Sequence, residues 1–130
     1  MKITRITRPL VNWLTGQRPA PEFPLCDYER IKYEIRPCDV LLVEGRTRVS
    51  DVIKMITQSS WSHAALYLGR LHDIEDPELR ETIAELFPFP PDTQLIVESE
   101  LGLGTVIRDL ASYQLDHIRI CRPRGLTHKD

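Results

Sequence analysis

Five short apolar segments limit what this chain of 130 residues can fold into. Each has the length and the Val, Ile and Leu content of a β-strand, and each is flanked by Gly, Pro or Ser. Helical patterns or tight turns separate one segment from the next, so the sequence predicts an α+β fold with a small antiparallel sheet and flanking helices. The predicted strands are residues 39–43, 64–68, 95–98, 105–108 and 117–122.

Two of the connections carry helical signals. The apolar residues of segment 49–58 recur at spacings of three and four, which predicts one face of a helix, with Thr47 or Ser50 available as its N-cap. Residues 71–92 are acidic and rich in proline, and we interpret them as an insertion packed on the rim of the sheet. The insertion contains one predicted helix, for which Asp76 is the cap.

Residues 1–24 form a basic and apolar arm that ends in a linker with three prolines, and residues 25–130 form the predicted domain. The apolar residues of the arm, up to Leu14, alternate with basic ones. This pattern suits peripheral contact with an anionic membrane, or an arm packed against its own domain. Pro9 interrupts the segment before any signal-peptide core, and no stretch approaches the roughly 20 apolar residues of a membrane-spanning helix.

Charge and cysteine content exclude several classes of protein. The formal net charge of -2 provides no field for phosphate backbones, so we expect no nucleic-acid partner. Three cysteines without C-x-x-C spacing argue against a disulfide framework and a zinc site, and they favour a reducing, cytoplasmic compartment. The acidic loop at His72 and Asp73 matches no familiar ligand spacing, so we expect no metal and no cofactor.

A histidine and a carboxylate interrupt two of the apolar segments. His63 precedes the second predicted strand, and Glu98 ends the third. Neighbouring strands bring side chains on one face to within about 5 Å of each other, close enough for a carboxylate to reach a ring nitrogen. Such a pair suits a general base with its orienting acid, although either residue alone is more often structural.

These residues belong to a longer set of motifs, found in segments 36–43, 57–60, 61–69, 96–99 and 104–107. Residues 62–69 read S-H-x-A-x-Y-x-G. Over about residues 34–124, the set and its order resemble the circularly permuted NlpC-like papain-fold hydrolases, the YiiX-like group. The S-H-x-A-x-Y-x-G block is the most specific part of this resemblance.

The resemblance implies a permuted papain-like thiol hydrolase or acyltransferase that acts on amide or ester bonds of a peptide or a lipid. His63 would be the general base and Glu98 the orienting acid. In that family the nucleophilic cysteine follows later in the sequence, at a helix N-terminus. We therefore expect the nucleophile to lie beyond Asp130. Among the thiols present Cys38 is the candidate, and the alternative for it is a small buried residue where the family usually shows glycine.

Three neighbours of His63 are predicted to line a substrate cleft: Trp61, Ser62 and Tyr67. Core packing is the alternative for Trp61 and Tyr67. The alternative to an enzyme is a catalytically inactive binding module, or a truncated fragment, that keeps the cleft without the nucleophile. If closing helices are missing, the sheet face they would cover predicts a homodimer or another partner.

Overall fold

A computed structural model of the protein describes residues 7–127. Five strands form one antiparallel sheet in the order β4-β3-β2-β1-β5, and helices flank it, so the predicted α+β class is confirmed. Each predicted strand is present, with its ends moved by one or two residues. The strands are β1 (Val40–Val43), β2 (His63–Arg70), β3 (Gln94–Glu100), β4 (Gly104–Asp109) and β5 (Ile118–Cys121).

The main core lies on one face of this sheet. Alternation along β1 and β2 buries Leu41, Val43, Ala65 and Tyr67 on the same side. Helix α2 (Tyr28–Glu34) covers them, and it was not predicted because its seven residues show too short an apolar pattern. The cluster is completed by Ile35, Ile96, Leu110 and Ile118.

Helix α3 (Arg48–Thr57) connects β1 to β2, close to its predicted position. Of the two predicted N-caps, Thr47 and Ser50, the structure has Thr47, whose side chain accepts a hydrogen bond from the Ser50 backbone N–H. The helix ends at Thr57, and the next residue, Gln58, is the C-cap with a left-handed backbone conformation (φ 52°).

The predicted insertion contains helix α4 (Pro77–Leu86), which begins where the sequence indicates. The Asp76 carboxylate accepts hydrogen bonds from the backbone N–H groups of Glu78 and Leu79. Ile83 of α4 then packs in a second apolar cluster with Leu71, Ile74 and Leu95. Because Leu95 belongs to β3, this cluster holds the insertion against the sheet.

Helix α1 (Thr7–Thr15) lies against α3. Arg48 of α3 donates a hydrogen bond of 2.8 Å to the backbone carbonyl of Trp13, and Gln17 pairs with Thr47. The described part of the arm therefore packs against its own domain, where α1 contacts α3. No helix between residues 7 and 127 combines the length and apolarity needed to cross a bilayer. Residues 1–6 of the predicted arm lie outside the described part.

Candidate active site

The side chains of His63 and Glu98 meet on the core face of the sheet. β2 and β3 are neighbouring strands, and Glu98 of β3 is paired with Ala65 of β2. Ala65 lies two residues after His63, so the two side chains are on the same face of the sheet. The distance from His63 Nε2 to Glu98 Oε2 is 2.5 Å. The contact expected from the two strand patterns is therefore present, while its catalytic role stays a prediction.

Glu98 is a buried carboxylate held by three donors. Its side chain is 2% exposed, and its Oε2 accepts hydrogen bonds from both His63 and the hydroxyl of Tyr113. Arg108 Nε lies 2.9 Å from the other oxygen, Oε1, and the same guanidinium pairs with Glu100. The three donors engage both oxygens of Glu98 and so hold the carboxylate in one orientation.

The environment keeps Glu98 ionised. Burial by itself would raise the pKa of Glu98, but the hydrogen bonds from His63 and Tyr113, with the charges of His63 and Arg108, outweigh it and leave the pKa below its usual range. Burial and the hydrogen bond to Glu98 both raise the pKa of Tyr113. Tyr113 is therefore a neutral donor beside a negatively charged acceptor.

This arrangement defines the tautomer of the base. An ionised carboxylate only accepts, so Nε2 of His63 carries the proton that Glu98 Oε2 binds. In the neutral ring Nδ1 then presents a lone pair, and it has no hydrogen-bond partner among residues 7–127. His63 is partly exposed and lines a cleft, so a ligand in that cleft can reach it. The site has the form of a general base with one reactive nitrogen.

Local structure explains why Arg108 and Tyr113 reach Glu98. Arg108 is paired with Ile96, two residues before Glu98 on β3, and so shares its face of the sheet. After β4, Asp109 caps a 3₁₀ turn (Leu110–Tyr113) by accepting a hydrogen bond from the Ala111 backbone N–H. The fully buried Leu110 anchors this turn and directs Tyr113 back over the acid.

The cleft beside His63 has a volume of about 680 Å³. It lies between the end of α1, the start of α3, the turn from β3 to β4 and the 3₁₀ turn. The lining is mixed in character, with an apolar part (Val43, Val49, Ile53, Leu101) and a hydroxyl-bearing part (Ser50, Ser62, Ser112, Tyr113). A cleft of this size and mixed polarity suits a small organic ligand or a short peptide segment.

Gly45, in the loop after β1, lies tightly against two serines that also line the cleft. Its backbone N–H donates a hydrogen bond of 2.9 Å to Ser62 Oγ. A Cβ at this position would lie 2.8 Å from Ser62 Oγ and 2.9 Å from Ser50 Cβ, closer than packed atoms approach. Only glycine lets the loop after β1 pass between these serines, and the sequence analysis did not single it out.

The three predicted cleft residues are placed differently. Ser62 lines the cleft. Trp61 does not line it and packs instead on His117, with ring centroids 4.9 Å apart. Tyr67 is buried in the main core, where its hydroxyl accepts a hydrogen bond of 3.0 Å from Gln94 Nε2. Tyr67 shares a strand face with His63, but four residues along a strand are about 13 Å, too far to share the cleft.

Cys38 does not lie beside His63. It precedes β1, and its backbone N–H donates to the Tyr67 carbonyl, whereas His63 pairs with Val43 at the other end of β1. The expectation that Cys38 is buried is wrong, because its side chain is exposed. Its backbone φ of 73° lies in the left-handed region, which glycine adopts at least cost. Glycine would therefore fit this position with less backbone strain than cysteine does.

The other two thiols are also outside the cleft. Cys121 is paired with Val40, at the same far end of the sheet as Cys38. Cys26 donates a hydrogen bond of 3.1 Å to the carbonyl of Asp116, and burial raises the pKa of its thiol. Between residues 7 and 127 the lining of the cleft therefore includes His63 and Glu98 but no thiol.

Besides Gly45, sequence reasoning missed the two residues that hold Glu98 together with His63, namely Arg108 and Tyr113. Arg108 follows the apolar pair Val106 and Ile107 near the end of β4, a position that gives no sign of an ion pair. Tyr113 follows the short helical signal at Asp109, but nothing local indicates its partner. Within residues 7–127 no cluster of three His, Cys, Asp or Glu side chains is arranged to bind a metal ion.

Comparisons of this chain with protein-family models and with curated proteins found no match.

Proposed function

We propose that the protein carries the base-and-acid half of an acyl-transfer site of the permuted papain-like type. The reaction would be hydrolysis, or transfer to an acceptor, of an amide or ester of a peptide or a lipid. One observation carries the proposal: Nε2 of His63 is bound by a buried, ionised Glu98, while Nδ1 has no hydrogen-bond partner among residues 7–127 and His63 lines a cleft. A surface or core histidine does not require a carboxylate held by three donors.

In the proposed reaction, Nδ1 of His63 takes the proton of a thiol as the sulfur attacks the substrate carbonyl. The resulting imidazolium is stabilised by Glu98 through Nε2. When the tetrahedral intermediate collapses, His63 gives its proton to the leaving amine or alcohol and an acyl-thioester remains. Water then attacks this thioester, with His63 accepting its proton, and releases the acid and the thiol.

The thiol must come from outside the cleft described here. Cys26, Cys38 and Cys121 do not line it, so the proposal assigns the nucleophile to another segment or to a second molecule. A reducing cytoplasm, the compartment that we infer from the cysteine content, would keep such a thiol available.

A small added thiol can test the base directly. We expect the protein to accelerate cleavage of a p-nitrophenyl ester by 2-mercaptoethanol above the rate in buffer. The measurement uses a variant with Cys26→Ala, Cys38→Gly and Cys121→Ser, so that the added thiol is the only sulfhydryl. His63→Ala should remove the acceleration.

His117→Ala is the matched control. His117 also bonds a glutamate, with Nδ1 3.0 Å from Glu44 Oε2, but it does not line the cleft. Its removal should leave the acceleration intact. Equal rates for the parent protein and His63→Ala would show that His63 is not a base for thiol attack, and would refute the proposed function.

A second candidate function is that of a binding module without turnover, and it is favoured by the absence of a thiol from the described cleft lining. It predicts that an amide or ester compound perturbs the His63 ring signals in an NMR titration while no product forms, with or without added thiol. Thiol-dependent product formation that requires His63 would exclude this alternative.

A further inference from the structure

The outer side of α1 and α3 forms an apolar surface with no cover within residues 7–127. We call it the two-helix surface and define it by Leu10 and Trp13 of α1 and by Val52, Met55 and Ile56 of α3. Met55 and Ile56 are each 73% exposed, and Trp13 is 56% exposed. A contiguous patch of exposed, large apolar side chains on a protein surface indicates an interaction site.

Arg48 makes the surface continuous. Its guanidinium lies 4.8 Å from the centre of the Trp13 ring and donates to the Trp13 carbonyl. Arg48, Val52, Met55 and Ile56 follow one another at helical spacing along a single face of α3. The opposite face of α3 carries Val49, Ser50 and Ile53 into the cleft, so the two-helix surface does not belong to the candidate active site.

Charge distinguishes this surface from the rest of the molecule. Residues 7–18 and 48–57 contain four basic side chains (Arg8, Arg18, Arg48, Lys54) and one acidic side chain (Asp51), although the whole chain has a formal net charge of -2. Asp51 is paired with Arg18, and Lys54 lies 3.5 Å from Glu44, so Arg8 and Arg48 supply the excess positive charge. An apolar face bordered by excess positive charge complements an anionic lipid surface, in which the apolar groups enter the acyl boundary and the cations bind headgroups.

Helix α4 provides an internal comparison. Leu79 and Leu86 of α4 are also exposed, at 44% and 68%. Their helix carries three glutamates and one arginine, so an anionic bilayer would repel it. The exposed fractions of these two leucines fall in the same range as those of the two-helix surface, but of the two surfaces only the two-helix surface carries the positive charge that anionic lipid requires.

We propose that the two-helix surface binds an anionic lipid bilayer peripherally. The sequence predicted membrane contact for the N-terminal arm alone. The proposal adds α3, which supplies three of the five apolar side chains of the surface. This proposal is independent of the proposed acyl-transfer function.

The test is cosedimentation of the full chain with vesicles of phosphatidylcholine, with or without phosphatidylglycerol. We expect binding to the vesicles that contain phosphatidylglycerol, weaker binding to phosphatidylcholine alone, and loss of binding as salt is raised. Ile56→Glu should lower the partition coefficient by on the order of tenfold or more, because it removes an inserted side chain and adds a negative charge. Leu86→Glu, on α4, is the matched control and should bind as the parent does.

A second readout reports on the surface without a disruptive substitution. In a Trp61→Phe background Trp13 is the remaining tryptophan, and its emission should shift to the blue on adding the anionic vesicles. Three results would overturn the proposal: no binding of the parent protein, equal loss in Leu86→Glu, or a dimer that Ile56→Glu dissociates while no vesicle binds. The last would assign the surface to a second copy of the chain.

Discussion

The hydroxyl of Tyr113 and the imidazole of His63 bind the same oxygen atom, Oε2 of Glu98. Their rings are 6.3 Å apart, centroid to centroid, so the two side chains flank the carboxylate without stacking. Arg108 occupies the second oxygen of the acid. The candidate base is therefore oriented by a carboxylate whose own position is fixed from three sides.

Removal of the Tyr113 hydroxyl should weaken the site without removing the base. In Tyr113→Phe, Glu98 loses a donor to its charged oxygen, and we expect a loss of about 1.5–3 kcal/mol in the free energy of unfolding. The thiol-dependent rate should fall by about tenfold, because Glu98 then holds the His63 ring less firmly. Urea titration and the ester assay measure the two effects. Tyr33→Phe, at an exposed tyrosine, is the control, and a similar loss there would refute this role for Tyr113.

Glu98→Gln should show what the negative charge of the acid contributes, because glutamine has nearly the same size and shape but no charge. The amide no longer stabilises an imidazolium and permits the wrong tautomer of His63, so we expect the thiol-dependent rate to fall by about 100-fold or more. The pKa of Glu98 is lower in the folded protein, so its contribution to stability is present above the ordinary glutamate pKa of about 4.3 and is lost as pH falls through the lower, folded value.

The variant should accordingly lose less stability than the parent on acidification below about pH 4. Thermal unfolding followed from neutral to acid pH measures this difference. Parallel curves for the two proteins would show that Glu98 is not preferentially ionised in the folded state.

A second buried carboxylate should control acid stability at the opposite end of β1. Asp39 accepts hydrogen bonds from Arg122 Nε (2.9 Å) and Nη2 (2.7 Å) and from the Arg36 backbone N–H. Burial would raise the pKa of Asp39, but these hydrogen bonds and the Arg122 charge outweigh it and lower the pKa. Stability from this pair is present above the ordinary aspartate pKa and is lost as pH falls through the lower, folded value.

Arg122→Gln leaves the Asp39 charge without its ionic partner, and we expect a lower free energy of unfolding at neutral pH, with a difference from the parent that shrinks on acidification. Urea titrations at neutral and acid pH measure it. Arg119→Gln, at an exposed position of β5, the strand that Arg122 directly follows, is the control. An equal loss at both pH values would contradict an electrostatic origin.

Cys38→Gly should stabilise the protein and leave the candidate site unaffected. Cys38 has a φ of 73°, where a side chain clashes with the backbone and glycine does not. We expect a gain of about 0.5–1 kcal/mol after the entropy cost of glycine in the unfolded chain. Denaturant unfolding measures this gain, with Cys121→Ser as the control for loss of a thiol. A drop in thiol-dependent activity on this substitution alone would instead return Cys38 as a nucleophile.

The sequence by itself determined the elements that depend on local pattern. The length and the Val, Ile and Leu content of short apolar segments defined the five strands, and side-chain caps defined where α3 and α4 begin, because these signals act between residues a few positions apart. The contact between His63 and Glu98 was also accessible, since each residue breaks its strand pattern at a position that pairing brings together.

Tertiary structure decided the rest. Whether Tyr67 lines the cleft depends on its distance along β2, and whether Cys38 is buried depends on the turn before β1 and on what covers it. Tyr113 and Arg108 reach Glu98 only because strand register and a 3₁₀ turn join residues separated along the chain. Such contacts are set by packing of the whole sheet, and no short stretch of sequence contains that information.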